Sequence, residues 1–268
     1  MKETCERMAP TRRHRSGGVD VVIFGVRFDR LTREEALSAM ESAFGSRQAI
    51  KVYIPNAHTL NLACSDPQFR RVLNEADLLL NDGRGVHIAS WLAGQSFHDN
   101  LVGTDLTPEF CERAARSGVS VFLLGGESGI AEMAAEGLRR KIKSVVIAGV
   151  HHGYFSEADE ALVVDRINRS GAGILLVGFG NPLQELWIHR NADRLRCDVC
   201  IGVGGLFDHL SGRLKRAPLW IRRMGMEWAF ILYCQPQKWR RYLLGIPLFL
   251  FRLFRDRLTR VQSKWRPL

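Results

Sequence analysis

Runs of Val, Ile and Leu recur along the first 200 residues and alternate with stretches whose apolar positions fall three or four apart. Seven runs predict buried strands, at 19–24, 50–54, 78–80, 119–124, 145–150, 174–177 and 199–203, because short continuous apolar runs suit strands covered on both faces. Between them lie helix starts. Thr32 with Glu35 has the spacing of a capping box, and Asp66-Pro67 and Thr107-Pro108 each read as an N-cap followed by proline at the first helical position. Stretches 128–141 and 157–168 predict two further helices. Strands alternating with helices predict an α/β fold: a Rossmann-like, mostly parallel sheet with helices on both faces. In such sheets ligands gather at the carboxyl ends of the strands.

After Gly212 the pattern changes. Pro218, Pro236 and Pro247 interrupt a stretch of apolar, aromatic and basic residues that reads as short amphipathic helices, and four of the six tryptophans (Trp220, Trp228, Trp239, Trp265) lie there. Three segments are expected: a polar, basic, disordered N-terminal extension over 1–18, an α/β catalytic domain over 19–212, and a basic amphipathic, membrane-associating appendage over 213–268. Charge sharpens that division. Residues 213–268 hold 14 Lys and Arg against 2 Asp and Glu, so the tail carries the whole of the +10 excess and the body is nearly neutral.

A basic tail implies an anionic partner. Trp and Tyr beside Arg and Lys suit a membrane interface. Residues 243–251 are too apolar for a nucleic-acid groove, so no nucleic-acid partner is expected; a helix buried in the same domain is the remaining alternative. The longest apolar run, 242–251, falls short of the roughly 20 residues that span a bilayer. No signal-peptide pattern is visible in the first 18 residues, and six scattered cysteines read as reduced thiols. A cytoplasmic protein, peripheral on the inner face of the cell membrane, is expected.

Candidate chemistry lies at the strand ends. Asn81-Asp82-Gly83 places a carboxylate directly after the 78–80 strand, where it is positioned to accept a proton, although Asp-Gly is also an ordinary turn. Gly178-Phe179-Gly180-Asn181-Pro182-Leu183-Gln184-Glu185 ends another strand and opens a helix, whose free N–H groups suit a phosphate; Gln184 and Glu185 are placed for a ribose or base. Leu183 stands where a dinucleotide fingerprint has its third glycine. Gly202-Val203-Gly204-Gly205-Leu206-Phe207-Asp208 and Gly125-Gly126-Glu127-Ser128 are ligand-facing turns or places of close backbone packing. Arg213, Lys215, Arg216, Arg222 and Arg223 supply guanidinium forks for a diphosphate, or a solvated basic face. Cys197 and Cys200, three apart in a strand and so expected on opposite sides, read as structural. His151-His152 has no evident partner. No Asp-x-Asp occurs, so no divalent-metal handle is present.

Taken in order, Asn56 in Tyr-Ile-Pro-Asn-Ala-His, Asn81-Asp82-Gly83, Gly103-Thr104-Asp105, Gly178-x-Gly180-x-Pro182-x-Gln184-Glu185, Gly202-Val203-Gly204-Gly205-x-Phe207-Asp208, and Lys215-Arg216-Ala217-Pro218 through Gly225-Met226-Glu227-Trp228 resemble the WecG/TagA/CpsF glycosyltransferase family over roughly residues 20–245. Ile54, Asn100 and Ile231 stand where that family often has Thr, Arg and Arg. The resemblance implies inverting transfer of an N-acetylmannosamine-type sugar, hexose or hexuronic acid from a UDP-sugar to a polyprenyl-diphosphate-linked saccharide. It implies Asp82 as base and Asn56 near the active pocket; Arg216, with Arg222 and Arg223, is expected to stabilise the departing UDP in place of a metal, with no other cofactor. The expected substrate-binding set is Gly83, Thr104, Asp105, Gly126, Gly178, Gly180, Pro182, Gln184, Glu185, Gly204, Gly205, Asp208, Arg222 and Arg223. Self-association into a homo-oligomer is left open. Two other classes stand beside this reading: a nucleotide-dependent oxidoreductase, and a non-catalytic basic adaptor for membrane or nucleic acid.

Overall fold

The computed structural model describes residues 20–264, without the side chains of residues 219, 223 and 258–264. The N-terminal extension and Trp265 therefore lie outside the described residues. The first two strands, β1 (Val21–Ile23) and β2 (Val26–Phe28), form a separate antiparallel hairpin. This corrects the expectation that 19–24 joins the main sheet. The cause is the two-residue turn Phe24-Gly25, where both residues have positive φ (52° and 76°), the geometry that folds a chain straight back on itself.

The main sheet has six strands, all parallel: β3 (Ile50–Tyr53), β4 (Leu78–Leu79), β5 (Val121–Gly125), β6 (Ile147–His151), β7 (Ile174–Gly178) and β8 (Val199–Gly202), in the order β4-β3-β8-β7-β5-β6. Their side chains alternate between two apolar layers. Phe122, Leu124, Leu175 and Val177 point into one, and Val121, Leu123, Ile174 and Leu176 into the other. On the second layer lie α1 (Arg33–Glu41), α5 (Gly103–Arg116), α6 (Ile130–Lys141) and α9 (Leu206–Leu210), contributing Leu37, Phe110, Ala134 and Phe207. On the first lie α2 (Ala57–Ser65), α3 (Pro67–Asn74), α4 (Gly83–Leu92), α7 (Glu160–Ser170) and α8 (Leu183–Asn191), contributing Leu60, Phe69, Val86, Val163 and Ile188. Covering both faces explains why the strands read as unbroken apolar runs.

The caps of α1 and α3 follow the sequence: Thr32 and Glu35 form a reciprocal box, and Asp66 accepts from Gln68 and Phe69 N–H with Pro67 next in line. Thr107-Pro108 does not start a helix. Helix α5 begins at Gly103, and Pro108 lies in its second turn, where its missing N–H forfeits one intrahelical bond. The earlier start has an external cap, since the Gly103 N–H donates to the Asp82 side chain. Cys197 and Cys200 also depart from expectation. Cys197 precedes β8 rather than lying in it, so the two sulfurs share one side, 3.2 Å apart and buried.

The tail comprises α10 (Leu219–Met224), α11 (Glu227–Cys234), a 3-10 turn, a π turn at Arg240–Leu244 and α12 (Gly245–Lys264). Pro247 does not interrupt α12, because it falls in the first turn, where no N–H partner is needed. One face of α12 is seated on the body. Phe249 and Leu253 are buried, Phe249 packs edge-on against Phe24 at 5.8 Å, and Arg252 donates to the Asn61 carbonyl (2.6 Å) and to Ser65 Oγ (2.9 Å). The other face shows Leu248, Leu250, Phe251 and Phe254 to solvent. Among the described residues no helix is long and apolar enough to cross a membrane.

Candidate active site

Asp82 stands at the carboxyl end of the sheet, beside its edge strand. It follows β4, and its backbone N–H donates to the Pro55 carbonyl (3.1 Å), tying the β4 tip to the β3 tip. Asn81 before it is fully buried and donates to the Asp99 carbonyl (2.9 Å), while Gly83 after it donates its N–H to Asn100 Oδ1 (3.0 Å). Asn100 thus serves the turn itself. Asn56 caps α2 by accepting from the His58 and Thr59 N–H groups (3.0 and 3.2 Å), and its side chain also hydrogen-bonds the Asp82 carboxyl.

Burial pushes the Asp82 carboxyl up to about 6. The Glu227 carboxylate adds to the rise; the Gly103 N–H, the Asn56 amide and the Arg241 charge oppose it without cancelling it. The side chain is half-buried, and a carboxyl at about 6 is mostly deprotonated in neutral water, the state a general base requires.

A second group of turns forms a glycine floor. Gly125 and Gly178 end neighbouring strands so closely that a Cβ on Gly125 would stand 2.6 Å from the Gly178 carbonyl oxygen. The Gly126 carbonyl accepts from the Gly153 N–H (2.8 Å), joining the β5 and β6 turns. Gly180, Gly204 and Gly205 face open space, with nothing within 4 Å of an added Cβ. Gln184 bridges two of these turns by accepting from the Gly204 N–H (2.9 Å) and donating to Glu185 Oε1 (2.9 Å). Glu185 is almost fully buried; Asn181 also donates to it, and burial pushes it up to about 7. Its position makes it a support beneath the Pro182 turn rather than a group reaching for a ribose.

The tail closes over the same strand ends with cations. Arg216 forms a bidentate pair with Asp105 in the first turn of α5, with a Glu227 oxygen 3.9 Å from its Nε, and Arg222 lies 3.9 Å from Asp105. Burial alone would raise the Asp105 carboxyl; the Arg216 hydrogen bonds and charge, with Arg222 and Arg33, hold it below its usual value. Burial lowers Lys238, which faces Arg241 and Asp208, and lowers His58 to about 4 beside Arg241. Among the described residues no three His, Cys, Asp or Glu side chains are grouped as metal ligands.

A sheet whose parallel strands end in a carboxylate, a glycine floor and a cationic cover is a scaffold for an anionic substrate. The sequence profile of the glycosyl transferase WecG/TagA/CpsF family matches residues 21–263. The chain belongs to this family. A Bacillus spizizenii protein named N-acetylglucosaminyldiphosphoundecaprenol N-acetyl-beta-D-mannosaminyltransferase is 34% identical over 188 residues, which is 70% of this chain and 72% of the relative. A Staphylococcus aureus MW2 protein of the same name is 30% identical over 247 residues, 91% of this chain and 95% of the relative. The chain is a glycosyltransferase, and the family match runs through the tail to within α12.

In this WecG/TagA/CpsF enzyme the structure brings together Asp82, Asn56, Gly83, Thr104, Asp105 and Arg216 on one side of the strand ends. On the other it groups Gly126, Gly178, Gly180, Pro182, Gln184, Gly204 and Gly205. Arg213 instead pairs with Glu127 (2.8 Å), and the Arg223 side chain lies outside the described residues. His151 turns to the His152 carbonyl (2.7 Å) and packs edge-on against Phe155, a local arrangement. Sequence reasoning missed the Gly103 N–H, His58, Lys238 and Arg241. A backbone donor has no sequence signature, and a single arginine in a stretch this basic has nothing to mark it out.

Proposed function

We propose that this enzyme transfers a sugar, with inversion, from a UDP-sugar to a polyprenyl-diphosphate-linked saccharide at the cytoplasmic face of the membrane, and that it uses no metal. The observation that carries this reading is the half-buried Asp82 carboxyl at the strand end, held by Asn56 and the Gly103 N–H and lifted to about 6. It takes the proton of an acceptor hydroxyl as that oxygen attacks the anomeric carbon. The leaving diphosphate lies on the open glycine turns at Gly180 and Gly204. Arg216, Arg222 and Arg241 replace the metal, since guanidinium forks neutralise phosphate oxygens in an enclosed site.

In the substrate complex Arg216 exchanges part of its pairing with Asp105 for the diphosphate. The names of the bacterial relatives supply the best first substrates, an N-acetylmannosamine donor and an N-acetylglucosamine-diphosphoundecaprenol acceptor; a hexose or hexuronic acid donor is the second choice. The tail binds the anionic membrane peripherally through its exposed aromatic and basic side chains.

The test is UDP release from a panel of UDP-sugars, with a short-chain lipid-diphosphate acceptor, in buffer containing excess EDTA. Acceptor-dependent release is expected to persist in EDTA. Release that vanishes with EDTA and returns with Mg²⁺ would overturn the metal-free step, and no release with any donor would overturn the reaction.

A further inference from the structure

Helix α4 starts at the Asp82 turn and buries Val86, Ala89 and Ser90 against the sheet. Its opposite face carries Arg84, Ile88 and Trp91, spaced four and three apart and therefore aligned along one side of the helix. Ile88 is 49% and Trp91 71% exposed. One exposed apolar side chain on a body surface is ordinary, but two in line beside further exposed apolar surface form a patch.

That further surface flanks α4 on both sides. On one, Gly225 at the end of α10 packs onto Arg84, so closely that a Cβ there would lie 2.6 Å from Arg84 Cδ; Trp220, Met224 and Met226 around it are exposed. On the other, Ala89 and Leu92 of α4 and Ala93 just after it share a crevice with Leu253, Asp256 and Arg257 of α12, whose Phe251 and Phe254 are exposed. The body helix thus lies between two segments of the tail. Its own charge is Arg84, the nearest α12 charges are Arg257 and Asp256, and the tail as a whole is strongly basic.

We propose that α4 is a second membrane contact, belonging to the catalytic body rather than the tail, in which Ile88 and Trp91 enter the interfacial layer of an anionic bilayer between α10 and α12. Apolar and aromatic side chains beside arginines are the composition that seats a helix in that layer. The inference rests on the peripheral-membrane reading of the tail and adds an orientation. With α4 lying along the surface, Asp82, one residue before its first turn, sits at headgroup depth. The diphosphate of a lipid-linked acceptor sits at that depth too.

The experiment uses the full chain and vesicles of phosphatidylglycerol and phosphatidylethanolamine, some carrying brominated acyl chains that quench tryptophan. Wild type is expected to bind. I88S/W91A should bind about tenfold more weakly, as expected for removing two interfacial side chains, and W91F should lose part of the bromolipid quenching. UDP binding and turnover on a water-soluble acceptor should be unchanged, which shows that the variants fold. If wild type does not bind vesicles, the membrane reading and this inference both fall. If wild type binds and I88S/W91A binds equally, with quenching unaltered in W91F, only the inference falls. It also falls if I88S/W91A alters the sedimenting mass of the lipid-free protein while leaving vesicle binding intact, for the face would then join copies of the chain.

Discussion

At the scale of single residues, Asp82 has to be enclosed enough to be a strong base and still ionised at working pH. A carboxyl lifted to about 6 meets both conditions. Because the base acts deprotonated, kcat/KM is expected to fall about tenfold per unit below pH 6 and to level off above it; an unperturbed aspartate would place that limb near pH 4. A rate profile flat from pH 5 to 8 would remove Asp82 from the proton transfer. Asp82→Asn should lower turnover by about 10² or more while leaving UDP affinity within twofold, measured by calorimetry.

Glu185 tests a different property. Its carboxyl is pushed up to about 7 by burial, so the folded state holds its proton more tightly than the unfolded chain does. Stability from this group is full below about 4.5 and is lost as pH rises toward 7, on the order of 3 kcal/mol. Glu185→Gln should flatten that part of the stability–pH curve in denaturant titrations. Asp82, Asn56 and the glycine turns were legible because strand ends and motif order mark them. Arg241 was not, because its action on Asp82, like its action on His58, is created by the tail folding back, a contact with no local trace.

At the scale of elements, alternation and caps match the six parallel strands and the starts of α1 and α3, and the departures arise where a tertiary contact or a turn geometry overrides the local pattern. Asp82 caps α5 from another strand and moves its start to Gly103, leaving Pro108 inside. The Phe24-Gly25 turn gives β1 a partner outside the main sheet. Gly137, in the middle of α6, shows the same competition between local preference and packing. In an isolated helix Gly→Ala is favourable by up to about 1 kcal/mol. Here a Cβ would stand 1.9 Å from the Leu210 carbonyl oxygen at the end of α9, a backbone atom that cannot swing aside. Overpacking of this kind costs about 1–3 kcal/mol, so the clash outweighs the propensity. Gly137→Ala should lower Tm, and a rise in Tm would show that α6 and α9 separate easily.

At the scale of the whole molecule, the composition shift after Gly212 predicts a basic amphipathic appendage, and the structure seats one face of its last helix on the body. Charge and aromatic content along α10–α12 fit a surface that meets something anionic, yet Phe249 and Leu253 belong to the same apolar layer as Leu60 and Val86. Arg252 and Asn61 lock α12 to α2 by reciprocal hydrogen bonds, Arg252 to the Asn61 carbonyl and Asn61 Nδ2 to the Gly245 carbonyl (2.7 Å). Two fully buried large side chains contribute about 1.5–3 kcal/mol each, and hydrogen bonds from a guanidinium add about as much again. Deleting residues 245–268 should therefore destabilise the body as well as weaken membrane binding. At roughly 2–4 °C per kcal/mol for a chain of this size, a fall in Tm of about 10 °C or more is expected, measured by calorimetry in the absence of lipid. Donor turnover should fall with it, because the α11–α12 connection carries Arg241, whose charge acts on Asp82. An unchanged Tm would mean that α12 leaves the body at little cost, and the cationic cover would then be assembled only when the membrane binds.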